Sequence, residues 1–331
     1  MAKRILLSVS LVFGLLLPVS AFAENPIKIA FAYDVGGRGD GGSDDAVALG
    51  IDAAKKKFKL TSFDIREVVT DGSSKDRLLK IRFLAKANYT LIVGVGAAYA
   101  PALNIVSEEY PATSFAIIDD QSVAHLNVAN IAFNQRQAAY LAGVFAASAS
   151  KSKRIGLITD AHDIYDPQFL ALFTRGAKSV YSKIFVDSRN PMLTPQVDVT
   201  GLVTNGVDVI YSLWNSSPEV LNAVAAVSTV KKPIRLIGVD PNQYFLRGIK
   251  AKSVLLGTIK KRFDKAVFTL IAGELQKISP SDSLNESLGI YGHEYSIQDG
   301  GLEISYALLG ATYSSRIAVA KIAITSGKVK I

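Results

Sequence analysis

Three aspartates in this chain follow directly on apolar, β-branched runs. Asp34 follows Ile29-Ala30-Phe31-Ala32-Tyr33, Asp119 follows Phe115-Ala116-Ile117-Ile118, and Asp240 follows Ile237-Gly238-Val239. Lys260 ends a fourth such run. A charged group at the carboxyl end of a parallel strand stands where open α/β sheets bind their ligands. Together the four offer hydrogen-bond acceptors and a donor to the hydroxyl and N–H groups of a small polar molecule. Each aspartate alone is an ordinary turn or cap residue, so the repetition across strands is what suggests a site. A pair such as Asp34 and Asp240 also has the chemistry of an acid and a base for glycoside cleavage. That gives a glycoside hydrolase as the alternative to a binding protein, and the product separates them: a cleaved or an intact ligand. No H-E-x-x-H, G-x-S-x-G or phosphate loop occurs, and an enzyme is not expected.

The stretch after Tyr33 reads Asp34-Val35-Gly36-Gly37-Arg38-Gly39-Asp40-Gly41-Gly42-Ser43-Asp44-Asp45. Gly37, Gly39 and Gly42 match G-x-G-x-x-G ahead of a helical pattern, the arrangement that lets a pyrophosphate approach a helix N-terminus. Here Asp34, Asp40, Asp44 and Asp45 set like charge against phosphate, so a nicotinamide or flavin site is not expected. Two readings remain. In one, Ser43 caps a helix with Asp44 and Asp45 in its first turn; in the other, Asp34 accepts hydrogen bonds from a neutral ligand.

These residues need elements to hold them. Strand-like runs recur at 27–33, 65–69, 90–95, 115–118 and 128–133, then at 154–159, 184–186, 207–213, 234–239 and 254–260. Helical spacing fills 44–58, 75–87 and 135–149 between them. Near-continuous apolar strands alternating with helices predict an α/β protein with parallel sheets covered on both faces. Later runs at 253–260 and 288–294 and a helix near 313–325 are expected to return and complete two lobes, leaving a hinge and a cleft.

The chain has 331 residues, 49% hydrophobic and 20% charged, which suits a folded protein of two domains. It has no cysteine, which excludes disulfides, thiolate metal sites and cysteine nucleophiles, and its three histidines lie far apart. No metal and no cofactor are expected. Net charge is +8. The densest basic groups, Lys55 to Lys57, Lys151 to Arg154 and Lys260 to Arg262, are short and far apart, which reads as solvated faces rather than a nucleic-acid footprint. Lys3 and Arg4, an apolar run over 5–19 and Ala21-Phe22-Ala23 make residues 1–23 an export signal, cleaved before Glu24.

The order of motifs resembles the basic membrane protein family of ABC-transporter substrate-binding proteins, which includes a purine-nucleoside receptor. The motifs are Asp34-Val35-Gly36-Gly37 with Gly50, Gly94-Val95-Gly96, Tyr110-Pro111 leading to Asp119, and 127–133. Further along come Ala139-Tyr140-Leu141-Ala142-Gly143, Arg154-Ile155-Gly156-Leu157-Ile158, 206–211, and Ile237-Gly238-Val239-Asp240-Pro241-Asn242-Gln243, with Lys260 near the end. The resemblance implies a two-lobed periplasmic-binding fold of type I with three crossovers. The lobes would be 24–133 and 134–255, with 256–331 returning to both. It implies hinge closure on a nucleoside-like ligand, a purine nucleoside favoured, and delivery to an ABC permease of the inner membrane by a monomer; the alternatives are a nucleoside-cleaving hydrolase that uses the cleft carboxylates and a binding protein for a non-nucleoside small molecule. By position, Asp34, Asp119, Asp240 and Lys260 would contact the ligand, and Gly238 would offer backbone. Where the family has Ser-Phe-Asn, this chain has Gly42-Ser43-Asp44, so Ser43 replaces the stacking ring and Asp44 the base-reading amide. Trp214, the only tryptophan, is expected near the cleft mouth as the replacement stacking face. The anchoring cysteine of many members is missing, so a freely diffusing periplasmic protein is expected.

Overall fold

The computed structural model describes residues 27–39, 42–159, 168–189, 194–213, 218–239, 253–278, 284–285 and 289–331. The expected leader, Trp214 and Asp240 lie outside the described residues. Five strands come first: β1 (Ile29–Tyr33), β2 (Ile65–Val69), β3 (Leu91–Val95), β4 (Ser114–Ile118) and β5 (Val128–Phe133). Helices α1 (Ser43–Phe58), α2 (Ser74–Lys86) and α3 (Ala100–Glu109) lie between them. After α4 (Gln135–Ala149), strands β6 (Arg154–Ile158), β7 (Phe185–Arg189), β8 (Val209–Ser212), β9 (Arg235–Val239) and β10 (Leu255–Lys261) alternate with α5 (Phe169–Val180), α6 (Pro195–Thr204) and α7 (Pro218–Val227). Last come α8 (Phe263–Leu275), β11 (Leu284–Asn285), β12 (Ile290–Tyr295), β13 (Leu302–Tyr306) and α9 (Ser314–Thr325).

The strands form two sheets. The first runs β11-β12-β5-β4-β3-β1-β2 and the second β13-β10-β9-β8-β6-β7. Among the described residues pairing is parallel except at two places, β11 on β12 and β13 on β10, which are antiparallel. The parallel reading is therefore corrected at the sheet margins: β12 follows β11 through a short connection that turns the chain back, whereas β13 reaches the edge beside β10 only after the third crossing between the sheets.

Strand alternation explains why each sheet is covered twice. In β1, Ile29, Phe31 and Tyr33 pack towards Val47 and Ile51 of α1, whereas Ala30 and Ala32 face Ile81 and Leu84 of α2. The second sheet does the same, with Leu157 and Tyr211 towards Leu141 and Phe173, and Ile158 and Ile210 towards Leu202 and Leu221. Helices α4 and α5 meet almost backbone to backbone. A Cβ on Gly143 would lie 1.9 Å from the Phe173 carbonyl oxygen, and one on Gly176 would lie 2.1 Å from that of Tyr140. No larger side chain fits at either place.

The chain passes between lobes three times: after β5 into α4, after β10 into α8, and between β12 and β13. The crossings are tied together. Asn134 N–H donates to the Tyr295 carbonyl at 2.8 Å, and Arg262 N–H to that of Gly301 at 2.9 Å. Gln137 Oε1 accepts from Ile297 N–H at 2.8 Å, and Gln137 Nε2 donates to Gln298 Oε1 at 2.9 Å. Phe133 packs edge-on against Phe263, with centroids 4.9 Å apart, and stacks on Tyr295 at 5.5 Å. Three adjacent crossings with an aromatic joint allow rotation of one lobe on the other without parting the sheets.

Candidate functional site

A cavity of about 170 Å³ lies between the lobes at the carboxyl ends of the strands. From the first lobe come Val95 and Gly96 after β3, Ile118 and Asp119 after β4, and Ser43 at the start of α1. Tyr211 from β8 and Leu213 just after it, Val239 from β9, and Ile259 and Lys261 from β10 form the other wall. Gln135, Phe169 and Phe263, each near the first turn of a helix, close the sides. Parallel strands bring all these groups to one edge, as the position of the aspartates in sequence suggests.

Asp119 dominates the polar side. Its φ of +65° lies in the left-handed region, which aspartate enters more readily than most residues. This turn directs its carboxylate off the strand end and across the cleft. Its N–H donates to the Ile131 carbonyl at 2.7 Å, fixing the backbone. Lys261 Nζ, from the opposite lobe, donates to Asp119 Oδ2 at 2.6 Å. Both side chains are about three-quarters buried, at 24% and 26% exposure. Gly96, beside them, has a φ of +91°, a conformation that favours glycine and leaves the cavity open where a side chain would project.

The apolar side is aromatic. Phe169 and Tyr211 lie nearly parallel with centroids 6.4 Å apart, and Tyr211 stacks in turn on Phe173 at 5.9 Å. Phe263 meets the cavity from the second crossing, held by Phe133. One charge-balanced ion pair and three rings suit a neutral, flat, partly polar molecule.

The expected site residues distribute as follows. Ser43 and Asp119 share the cavity wall. Ser43 is the first helical residue of α1, and Gly42 is the N-cap without a side-chain bond, so the capping reading of Ser43 does not hold. Asp44 is buried at 3% exposure. Asp34 lies off the cavity, where Oδ1 accepts from Val35 N–H at 2.8 Å and from Arg77 at 2.7 Å. Gly238 is buried inside β9, paired with Thr258. Lys260 pairs with Glu303 across the β10–β13 ladder, and its neighbour Lys261 faces the cleft instead. Trp214 and Asp240 are outside the described residues; Leu213 and Val239, which precede them, line the cavity.

The glycine loop is held by its own charges. Arg38 sits between Gly37 and Gly39 and forks onto Glu67 at 2.6 and 2.9 Å and onto Asp52 at 2.9 and 3.0 Å. Asp45 accepts from Gly39 N–H at 2.5 Å. Burial works to raise the Glu67 carboxyl, but hydrogen bonds from Arg38 and Tyr33 outweigh it and hold it below the usual range. Hydrogen bonds from Arg38 likewise hold Asp52 low. Acid-to-backbone and acid-to-arginine contacts shape this loop, where a dinucleotide site would keep its N–H groups for phosphate. Among the described residues no cluster of metal-ligating side chains occurs, and no helix is long and apolar enough to cross a membrane.

Comparison with known proteins agrees with this architecture. The family model of PnrA-like ABC transporter substrate-binding proteins matches residues 27–305. The ABC transporter nucleoside-binding protein BmpA of Lactococcus lactis is 24% identical over 327 residues, covering 94% of this chain and 91% of the relative. The CD4+ T-cell-stimulating antigen of Listeria monocytogenes is 26% identical over 259 residues, 74% of this chain and 72% of that one. Among solved structures, an ABC transporter solute-binding protein of Aeropyrum pernix superposes with a TM-score of 0.69 at 20% identity, covering 92% of this chain and 93% of the other. That likeness, with a periplasmic ribose ABC transporter structure from Conexibacter woesei at a TM-score of 0.61 and 13% identity, covering 89% of this chain and 97% of the other, identifies the type I periplasmic-binding fold. The chain belongs to the Bmp family, the PnrA-like substrate-binding proteins of ABC transporters.

Proposed function

We propose that this chain binds a neutral nucleoside outside the cytoplasm, closes its lobes on it, and hands it to an ABC permease without chemical change. The observation that carries this reading is the Asp119–Lys261 pair, which spans the lobes at 2.6 Å beside an aromatic wall. A carboxylate accepts from ribose hydroxyls or base N–H groups and an ammonium donates to oxygen, so a ligand that parts the pair satisfies both partners. The cavity of about 170 Å³ is close to the roughly 150 Å³ that admits benzene, and below the roughly 300 Å³ at which pockets for larger ligands begin. A base fits as the cavity stands, and a sugar needs the space now bridged by the ion pair. Phe169, Tyr211 and Phe263 supply the flat apolar contact that Ser43 cannot. The nucleoside named for the Lactococcus relative supports the same ligand class.

A thermal-shift panel on the refolded chain, with purine and pyrimidine nucleosides, free bases and ribose, tests the reading. A ligand at about 100 times its dissociation constant adds about 2.7 kcal/mol to stability. A rise in melting temperature with nucleosides, recovered intact afterwards, is expected. Recovery of free base instead would establish a hydrolase, and a shift with ribose alone would make the protein a sugar receptor.

A further inference from the structure

The parallel second sheet gathers charges that the sequence scatters. Its strands β6, β7, β8 and β9 all begin at the edge opposite the cleft, so the loops that feed them lie together. Those loops bring Lys151 and Lys153, then Lys183, then Lys231 and Lys232, and the strands open with Arg154 and Arg235. Among the described residues these loops hold one carboxylate, Asp208. It is occupied by Ser150 Oγ at 2.6 Å and by the N–H groups of Lys151 and Ser152 at 2.7 Å. Asp187, inside β7, is bonded by Arg189 and Asn205. The corresponding loops of the first lobe, 59–64, 87–90 and 110–113, carry only Lys59 and Asp64 as charged residues. At the matching end of the first lobe the cations stand instead on helix ends, Lys55 to Lys57 of α1 and Lys86 of α2, with Lys55 paired to Glu67, so the loops themselves are basic only in the second lobe.

We infer that this edge docks on the anionic surface of a phospholipid bilayer. A recess of about 580 Å³ at this edge is lined by Lys151, Lys231, Lys232 and Arg235 together with the already bonded Asp208, so four cations face one carboxylate where a phosphate headgroup would enter; Lys232 and Arg235 also donate to the Val203 and Ser253 carbonyls. Val230 is fully exposed at 101% and followed by Lys231 and Lys232, an apolar point beside two cations that suits the headgroup layer. Duplex or single-stranded nucleic acid fits less well. The half-exposed rings here, Tyr181 and Phe185, each already carry a cation over one face, Lys153 at 5.3 Å and Arg154 at 4.0 Å, which leaves less ring surface for a stacked base. Among the described residues no helix projects from the edge to enter a groove. Docking through this edge leaves the cleft, at the opposite ends of the strands, open to ligand.

Co-sedimentation with vesicles tests the inference. The purified chain is mixed with vesicles of phosphatidylcholine alone, or with about a third phosphatidylglycerol, at low and high salt. Pelleting with the anionic vesicles at low salt only is expected. Each cation removed weakens partitioning about fivefold, so Lys231→Glu with Lys232→Glu lowers it at least roughly 25-fold. Lys56→Glu with Lys57→Glu, on the exposed end of α1, leaves it unchanged. Unaltered melting of the loop variant separates lost docking from lost folding. Equal pelleting with neutral vesicles, an unaffected loop variant, or retention on duplex DNA without vesicle binding would each overturn the proposal.

Discussion

Asp119→Asn removes the charge from the bridge between the lobes and keeps a residue that tolerates a φ of +65°. The pair is 2.6 Å long with side chains about a quarter exposed. Exposed pairs contribute about 0–1 kcal/mol, and breaking a fully buried one costs about 3–5 kcal/mol. An intermediate position gives about 1–2 kcal/mol, or a 5- to 30-fold loss in the ratio of closed to open molecules without ligand. Because the chain has no native cysteine, two engineered ones, at exposed Lys86 on the first lobe and Ser182 on the second, label specifically for energy transfer. The variant is expected to lose the high-transfer population at low salt. About 1 M salt is expected to open the parent protein partly and leave the variant unmoved. Identical transfer distributions for parent and variant at both salt levels would refute the idea that this ion pair holds the lobes together.

Other substitutions probe separate parts of the account. Ser43→Phe places a ring on the cavity wall and is expected to tighten nucleoside binding by about 1–3 kcal/mol, read by calorimetric titration; weaker binding would mean that the base lies elsewhere. Arg38→Gln releases Glu67 and Asp52, both held below the usual carboxylate range. Their contribution is complete at neutral pH and fades as pH falls from their unfolded values, near about 4, through their lower folded ones. The parent melting temperature should therefore drop more steeply below about pH 4.5 than that of the variant, which starts lower at pH 7. Gly143→Ala sets a methyl 1.9 Å from the Phe173 carbonyl oxygen. Forcing α4 from α5 is expected to cost about 2–3 kcal/mol, a fall in melting temperature of roughly 5–10 °C by calorimetry.

Most strands were legible because those buried on both faces read as continuous apolar runs, and β1, β3 to β6 and β8 to β10 coincide closely with them; β2, a half-exposed edge strand, was found from its β-branched Ile65, Val68 and Val69. Strand β7 reaches Arg189, beyond the expected end at 186, because an edge strand carries polar residues that dilute its pattern. The short β11 and the antiparallel β13 have no long apolar run to reveal them. Asp119 was legible from its place at a strand end. Lys261 was not. Lys260, Lys261 and Arg262 are adjacent cations, and only the register of β10 against β13 decides which one faces the cleft. Phe169 and Tyr211 read as core residues, which they also are, and nothing local distinguishes a core ring from a cavity wall. The basic edge was invisible for a related reason: its cations are distant in sequence, and parallel strands alone bring them together.

The central claim, a cleft that closes on an intact neutral nucleoside through Asp119 and Lys261, is tested most directly by titration calorimetry. Inosine, uridine and free hypoxanthine are titrated into the refolded chain and into Lys261→Met. The account predicts saturable one-to-one binding of a nucleoside with a negative heat-capacity change, strongly weakened in Lys261→Met, with the nucleoside recovered unaltered. Absence of binding by every nucleoside, or equal affinity in Lys261→Met, would contradict it.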